Sequence, residues 1–246
     1  MMERNLLLTL QYDGSGYHGY QIQPEAITVQ RVIEDTLSSI TGENIKVNGC
    51  SRTDAGVHAY EYACSFTTSF PIPAERLPIV LNAKFPDDIK ALNCVEVSPD
   101  FHARFDTKSK TYRYTINTHK NPMVFSRNFE WQLKKELNVE DMNKACVYFL
   151  GEHDFSAFMT SGNVISSAVR SIYDLRVESN ENLVYIYIRA NGYLYNMVRI
   201  ITGTLVNVGL GKYPPDKVKD IINSCDRSKS GPTAPPQGLA LYKVEY

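Results

Sequence analysis

The sequence has no metal-binding signature. Its five histidines form no HExxH and no cluster with cysteines, so a zinc centre is not expected. A Walker-type phosphate loop is also missing, so the chain is expected to work without added metal, nucleotide or other cofactor. There is no CxxC. Cys50, Cys64, Cys94, Cys146 and Cys225 are odd in number and widely spaced, which speaks against a disulfide framework and for free thiols in a reducing cytosol. No apolar run approaches the length that crosses a bilayer, and no membrane attachment is expected. The opening MMERNLLLTLQYDG carries one short apolar run behind an acidic residue and reads as a first strand, not a signal peptide. These absences leave a cytoplasmic globular protein.

What is present is ordinary in bulk and uneven in detail. The 246 residues, 43% apolar and 22% charged, suffice for one large domain or two small ones. The net charge of −1 conceals a basic segment. From His102 to Lys135 eight cations (Arg104, Lys108, Lys110, Arg113, Lys120, Arg127, Lys134 and Lys135) face only Asp106 and Glu130. On charge alone this is a solvated loop region. Aromatic residues interleave with it (Phe101, Phe105, Tyr112, Tyr114, Phe125, Phe129 and Trp131), a mixture used by base-stacking platforms. Lys108, Lys110 and Arg127 are the candidate phosphate contacts.

Periodicity predicts strands over 6–12, 45–50, 59–68 and 89–97, with helices over 28–42 and 73–85. Thr28 caps the first helix and Gly42 stops it. The order β-α-β-β-α-β is the ferredoxin-like arrangement. The second half predicts strands over 110–118, 170–178, 183–190 and 239–246, with helices over 139–150, 195–208 and 215–225. The element types repeat, without a convincing sequence repeat. A boundary at 107/108 separates the halves, and SKSGPTAPPQG, residues 228–238, is a loop.

Chemistry concentrates in GCSRTDAGVHA, residues 49–59, between two predicted strands. A lone aspartate there must be paired or solvated. Taken alone, Asp54 would be a turn residue bonding its own backbone. Arg52 stands two positions before it and is expected to do a different job. Far downstream, YNMVRIITGTLVNVG predicts a helix apolar on most of its circumference, with Arg199 in its middle. That arginine either snorkels along a polar edge or meets a carboxylate, whose pKa it would lower. TYRYTI puts Tyr112 and Tyr114 on one face of a strand and Arg113 on the other. Taken singly, YDGSGYHGYQIQ reads as a polar turn, GEHDFSAF as a helix end whose His153 and Asp154 are either a cap or a site, and TAPPQGLAL as a loop entering an edge strand.

In their order, YDGSGYHGYQIQ, TVQRVIE, RTDAGVHA, FHARFD, TYRY, GEHDFSAF, NMVR and TAPPQGLALYKV resemble the tRNA pseudouridine synthase A family over nearly the whole chain. The resemblance implies an α+β fold of two ferredoxin-like halves, with antiparallel sheets joined into one extended sheet and the active-site cleft between them. It implies Asp54 as the catalytic aspartate and Arg52 as the side chain that fills the gap left by a flipped nucleotide. By the same resemblance Tyr112 stacks on the target uracil, Arg199 pairs with Asp54, and Leu239 forms an apolar shelf under the base. Two positions depart from the family pattern. Cys50-Ser51 stands where a small residue and Gly are usual, and Tyr193 stands where Phe is usual.

The implied reaction detaches uracil from its ribose, turns it, and rejoins it through carbon, with no redox change and no electron-carrying cofactor. The implied substrate is the anticodon stem-loop of tRNA, at positions 38, 39 and 40, acted on by a homodimer. A stacked base must first be flipped out. Two rivals are an inert RNA-binding module and a carboxylate hydrolase. A buried Arg199 argues against the first, and the lack of a second carboxylate as general acid argues against the other.

Overall fold

Leu6, Leu8, Leu10 and Tyr12 alternate along the first strand, and all four are buried. Each such leucine contributes about 1.5–3 kcal/mol by leaving water, so the first strand fixes which face of its sheet is the core. In the computed structural model, which describes residues 3–121, 123–160 and 166–246, the chain forms two compact units. The first is Met1–Lys108 with Ala240–Tyr246, and the second is Ser109–Leu239.

The first unit runs β1 (Arg4–Tyr12), α1 (Val29–Thr41), β2 (Asn48–Gly49), β3 (His58–Thr68), α2 (Leu77–Asn82) and β4 (Ile89–Val97). β1 pairs antiparallel with β3 on one side and β4 on the other, and β2 pairs antiparallel with β3. This is the expected β-α-β-β-α-β arrangement. The free edge of β3 is shared: its C-terminal half carries β2, and its first residues pair parallel with the closing strand through Ala240 and Leu241. α1 is capped as its sequence dictates. Thr28 accepts from the Arg31 N–H at its start, and Gly42 takes φ 73° at its end.

The strand expected over 45–50 shrinks to two residues. Ile45 and Val47 are buried, but their backbone is not in a ladder. The Ile45 N–H donates to Ser38 Oγ and the Val47 N–H to Glu34 Oε1, both on α1. The helix expected over 73–85 is a 3-10 turn over Ala74–Arg76 followed by α2, with Pro78 in the first turn of α2.

The second unit runs β5 (Ser109–Asn117), β6 (Trp131–Gln132), α3 (Val139–Cys146), β7 (Gly151–Asp154), β8 (Val169–Asn180), β9 (Leu183–Ala190), α4 (Met197–Gly209) and α5 (Lys217–Ser224), and ends as β10 (Leu239–Glu245) begins. Its strands are ordered β5-β9-β8-β7, all antiparallel, with β6 parallel to β5. β9 alternates strictly, burying Val184, Ile186, Ile188 and Ala190. α3 stops at Cys146 and tightens into a 3-10 turn over Val147–Phe149, so the helix expected over 139–150 is shorter. β7 was expected as a helix cap. It is a short, polar edge strand on β8, a kind that carries no apolar alternation to reveal it.

Candidate active site

The loop that bears Arg52 and Asp54 leaves β2 and enters β3, and a second loop holds it in place. Residues 13–20, at the end of β1, run along it. Tyr12 Oη and Thr53 Oγ1 are hydrogen-bonded at 2.8 Å. The Tyr20 N–H donates to the Thr53 carbonyl at 3.1 Å, and the Gly14 N–H donates to Nδ1 of buried His58 at 3.0 Å. The approach is too close for side chains. A Cβ on Gly14 would fall 2.0 Å from the Val57 carbonyl oxygen. One on Gly19, whose φ is +83°, would fall 2.7 Å from the Thr53 carbonyl oxygen. The loop closes on itself as well, with the Val57 N–H donating to the Asp54 carbonyl at 3.1 Å. Asp54 is thus half-buried on a backbone fixed at both flanks.

Ser51, where the family pattern has Gly, does not take a left-handed φ, so the position demands no glycine here. Its carbonyl accepts a short hydrogen bond from the Tyr62 hydroxyl. Tyr62 stacks at 4.4 Å on Tyr20, which belongs to the holding loop. Burial pushes the ionisation of both tyrosines far up, so both stay neutral. Arg52 is exposed and meets no carboxylate among the described residues. The sequence presented residues 12–23 as a polar turn. The signal for its clamping role was the pair Gly14 and Gly19, whose missing side chains permit the close approach.

In the second unit, every residue of α4 other than Arg199 is buried. Arg199 lies in the first turn of α4, and not in the helix middle as its pattern suggested. Its Nε donates to the Ala234 carbonyl at 2.7 Å and its Nη1 to Asn196 Oδ1 at 2.7 Å. The Ala234 N–H returns a bond to the Arg199 carbonyl at 3.1 Å. The same segment reaches β5, where the Tyr114 hydroxyl donates to the Pro235 carbonyl at 2.7 Å. Residues 234–239 therefore tie the start of α4 to β5 and lead straight into Leu239, itself buried.

Tyr112, on β5, is 5% exposed and meets Tyr193 edge-on, with ring centroids 4.9 Å apart at 87°. The hydroxyl that distinguishes Tyr193 from phenylalanine is used, with the Lys110 carbonyl at 2.7 Å and the Ile188 carbonyl at 2.9 Å. Of the three candidate phosphate contacts, Lys108 and Arg127 are exposed, and Lys110 is 9% exposed. Among the described residues no three His, Cys, Asp or Glu side chains are placed to hold a metal ion, and no helix is long and apolar enough to cross a membrane.

The profile of a known family, described as tRNA pseudouridine synthase, matches residues 9–106 and 145–246. The chain belongs to the tRNA pseudouridine synthase A family. Similar curated proteins include the tRNA pseudouridine synthase A of Thermoanaerobacter sp. (strain X514) and that of Clostridium acetobutylicum. Each is 49% identical over 243 residues, covering 99% of this chain and 100% of the relative. A solved archaeal box H/ACA sRNP Nop10-Cbf5 complex matches 92% of this chain and 59% of its own at 11% identity and a TM-score of 0.37, too loosely to argue from. The chain is an isomerase that makes pseudouridine in tRNA.

Proposed function

We propose that the uridines converted lie in the anticodon stem-loop, at positions 38, 39 and 40, and that Asp54 is the catalytic carboxylate. The observation that carries this reading is the double clamp on the Asp54 loop, Thr53 held by Tyr12 and Tyr20 on one side and His58 by Gly14 on the other. A carboxylate aimed at a reacting sugar or base gains most when its backbone is fixed before substrate arrives. The isomerisation breaks the bond from uracil N1 to ribose C1′ and forms one from C5 to C1′. The C5 hydrogen leaves as a proton, the freed N1 takes one up, and no electrons are gained or lost.

The target base is flipped out of its stack. Arg52, exposed beside Asp54, occupies the vacancy. Tyr112 stacks on the extruded uracil, Leu239 supplies its dry floor, and Arg199 is the counter-charge of the catalytic carboxylate. Lys108, Lys110 and Arg127 contact phosphates. The enzyme works as a homodimer in the cytosol. Its four buried free thiols suit a reducing compartment, and two-fold dimers are the commonest assembly of soluble chains.

The test is incubation with whole tRNA followed by mapping of pseudouridine. Modification confined to 38–40 is expected, and modification elsewhere, with 38–40 untouched, overturns the substrate assignment. Sedimentation at micromolar concentration should give twice the chain mass, and a monomer with and without tRNA contradicts the dimer.

A further inference from the structure

Beside the Asp54 loop, wholly within the first unit, lies an open pocket that, apart from Arg52 on its rim, no step above uses. Its rim holds Arg52, His102, Arg104 and Phe105, and its walls include Gln21 and Asn48. Four observations mark it as a site. No acidic side chain lines it, although the chain as a whole is slightly acidic. Arg52 and Arg104 are both exposed, and neither meets a carboxylate among the described residues. Phe105 keeps 74% of its surface open, with the His102 ring 4.3 Å from its own and the Arg104 guanidinium 5.6 Å from its centroid. The amides of Gln21 and Asn48 make no side-chain hydrogen bond among the described residues.

The open face of Phe105, with the His102 ring and the Arg104 guanidinium beside it, offers a platform that a planar group can cover. The cover these groups suit is flat, apolar on its faces, polar at its edge and anionic at one end.

We propose that this pocket binds a nucleotide of the substrate RNA near the reacting uridine. Its base lies against Phe105 and His102, its edge meets Gln21 and Asn48, and its phosphate lies against Arg104. The proposal extends the function given above, since the same RNA must reach Asp54. His102 is held for this by its own backbone turn. Its N–H donates to Asp106 Oδ2 at 2.7 Å, and its Nδ1 accepts from the Arg104 N–H at 3.1 Å. The stacking element is therefore built before RNA arrives. The Tyr20 hydroxyl at the floor completes no hydrogen bond among the described residues, although the Tyr62 hydroxyl is its near neighbour.

The experiment uses the full chain and an unmodified tRNA transcript, with affinity read by fluorescence anisotropy and turnover by tritium release. Phe105→Ala and Arg104→Ala should each weaken binding roughly tenfold, with kcat at saturating tRNA within about twofold. Phe105→Tyr should bind like the parent. Both residues are exposed, so the variants should melt with the parent, and Ile79→Ala, exposed on α2, is the neutral control. Transcripts carrying 4-thiouridine should photocrosslink to the peptide spanning 102–105. Unchanged affinity in both alanine variants, or equal loss in Ile79→Ala, overturns the pocket. That failure is distinct from failure of Asp54, which is read by turnover of Asp54→Ala with this pocket intact.

Discussion

Gly19 stands so close to Thr53 that a Cβ at 19 would sit 2.7 Å from the Thr53 carbonyl oxygen, one residue before Asp54. The loop at the end of β1 is therefore a template for the loop that carries the carboxylate. Gly19→Ala should push the two loops apart, and φ of +83° strains the alanine as well. A shift of about 1 Å at a reacting group can cost on the order of a hundredfold in rate. Turnover is expected to fall about ten- to a hundredfold while tRNA affinity changes little. Equal losses in kcat and affinity would show general unfolding in place of mispositioning, and circular dichroism separates the two.

Arg199 has a structural duty besides its proposed one. Arg199→Leu removes the side-chain bonds to the Ala234 carbonyl and Asn196 and leaves Ala234 held to α4 only by the backbone bond from its N–H to the carbonyl of residue 199. Hydrogen bonds to charged groups are worth about 1.5–3 kcal/mol each. The melting temperature should drop by several degrees and turnover should fall with it. Arg199→Lys should recover part of the stability and little of the activity, because an ammonium cannot reproduce the planar fork. A variant as stable as the parent contradicts the packing described.

tRNA affinity should decline linearly with salt on a log-log scale. Lys108→Ala and Arg127→Ala should each flatten that slope by about one unit or less. Lys110→Ala, at 9% exposure, should change it least of the three. Identical slopes in all the variants would leave the basic segment a solvated surface.

Burial pushes the Cys94 and Cys146 thiols from 9.0 up to about 12. A thiol is neutral when protonated, so the folded chain holds these protons more tightly than the unfolded one. The resulting stability is complete below pH 9 and is lost as pH rises from 9 towards 12. The urea midpoint should therefore fall between pH 8 and pH 10, and less steeply in a Cys94→Ala, Cys146→Ala variant. Exposed Cys225 should be the thiol that a bulky alkylating reagent reaches in the native protein. A pH slope equal in parent and variant contradicts this.

Much of the first unit was legible because its strands alternate and its helix is capped. Leu6 to Tyr12 and Thr28 to Gly42 behave as their patterns require. The misread stretches are those whose backbone bonds go to side chains or to an edge. Ile45 and Val47 looked like a strand because they are apolar and buried, but Glu34 and Ser38 satisfy their N–H groups. Gly151–Asp154 looked like a cap because an edge strand of charged residues has no alternation. The candidate site was named from its residues, and its support could not be read from them. Arg52 stands out as unusual in a turn, whereas the clamp from residues 12–20 requires knowing which loops touch. Arg199 was placed in mid-helix, either snorkelling along a polar edge or meeting a carboxylate, and it is the one residue of α4 left unburied, in its first turn.

The central claim is that Asp54 acts on the reacting nucleotide. It is tested most directly by Asp54→Ala and Asp54→Asn with tRNA carrying 5-tritiated uridine, reading tritium release and tRNA binding on the same preparations. Release should fall below detection in both variants, with affinity within about threefold of the parent and an unchanged melting temperature. If either variant, well folded and binding tRNA, still releases tritium at a substantial rate, Asp54 is not the catalytic carboxylate and the clamped loop is only a turn.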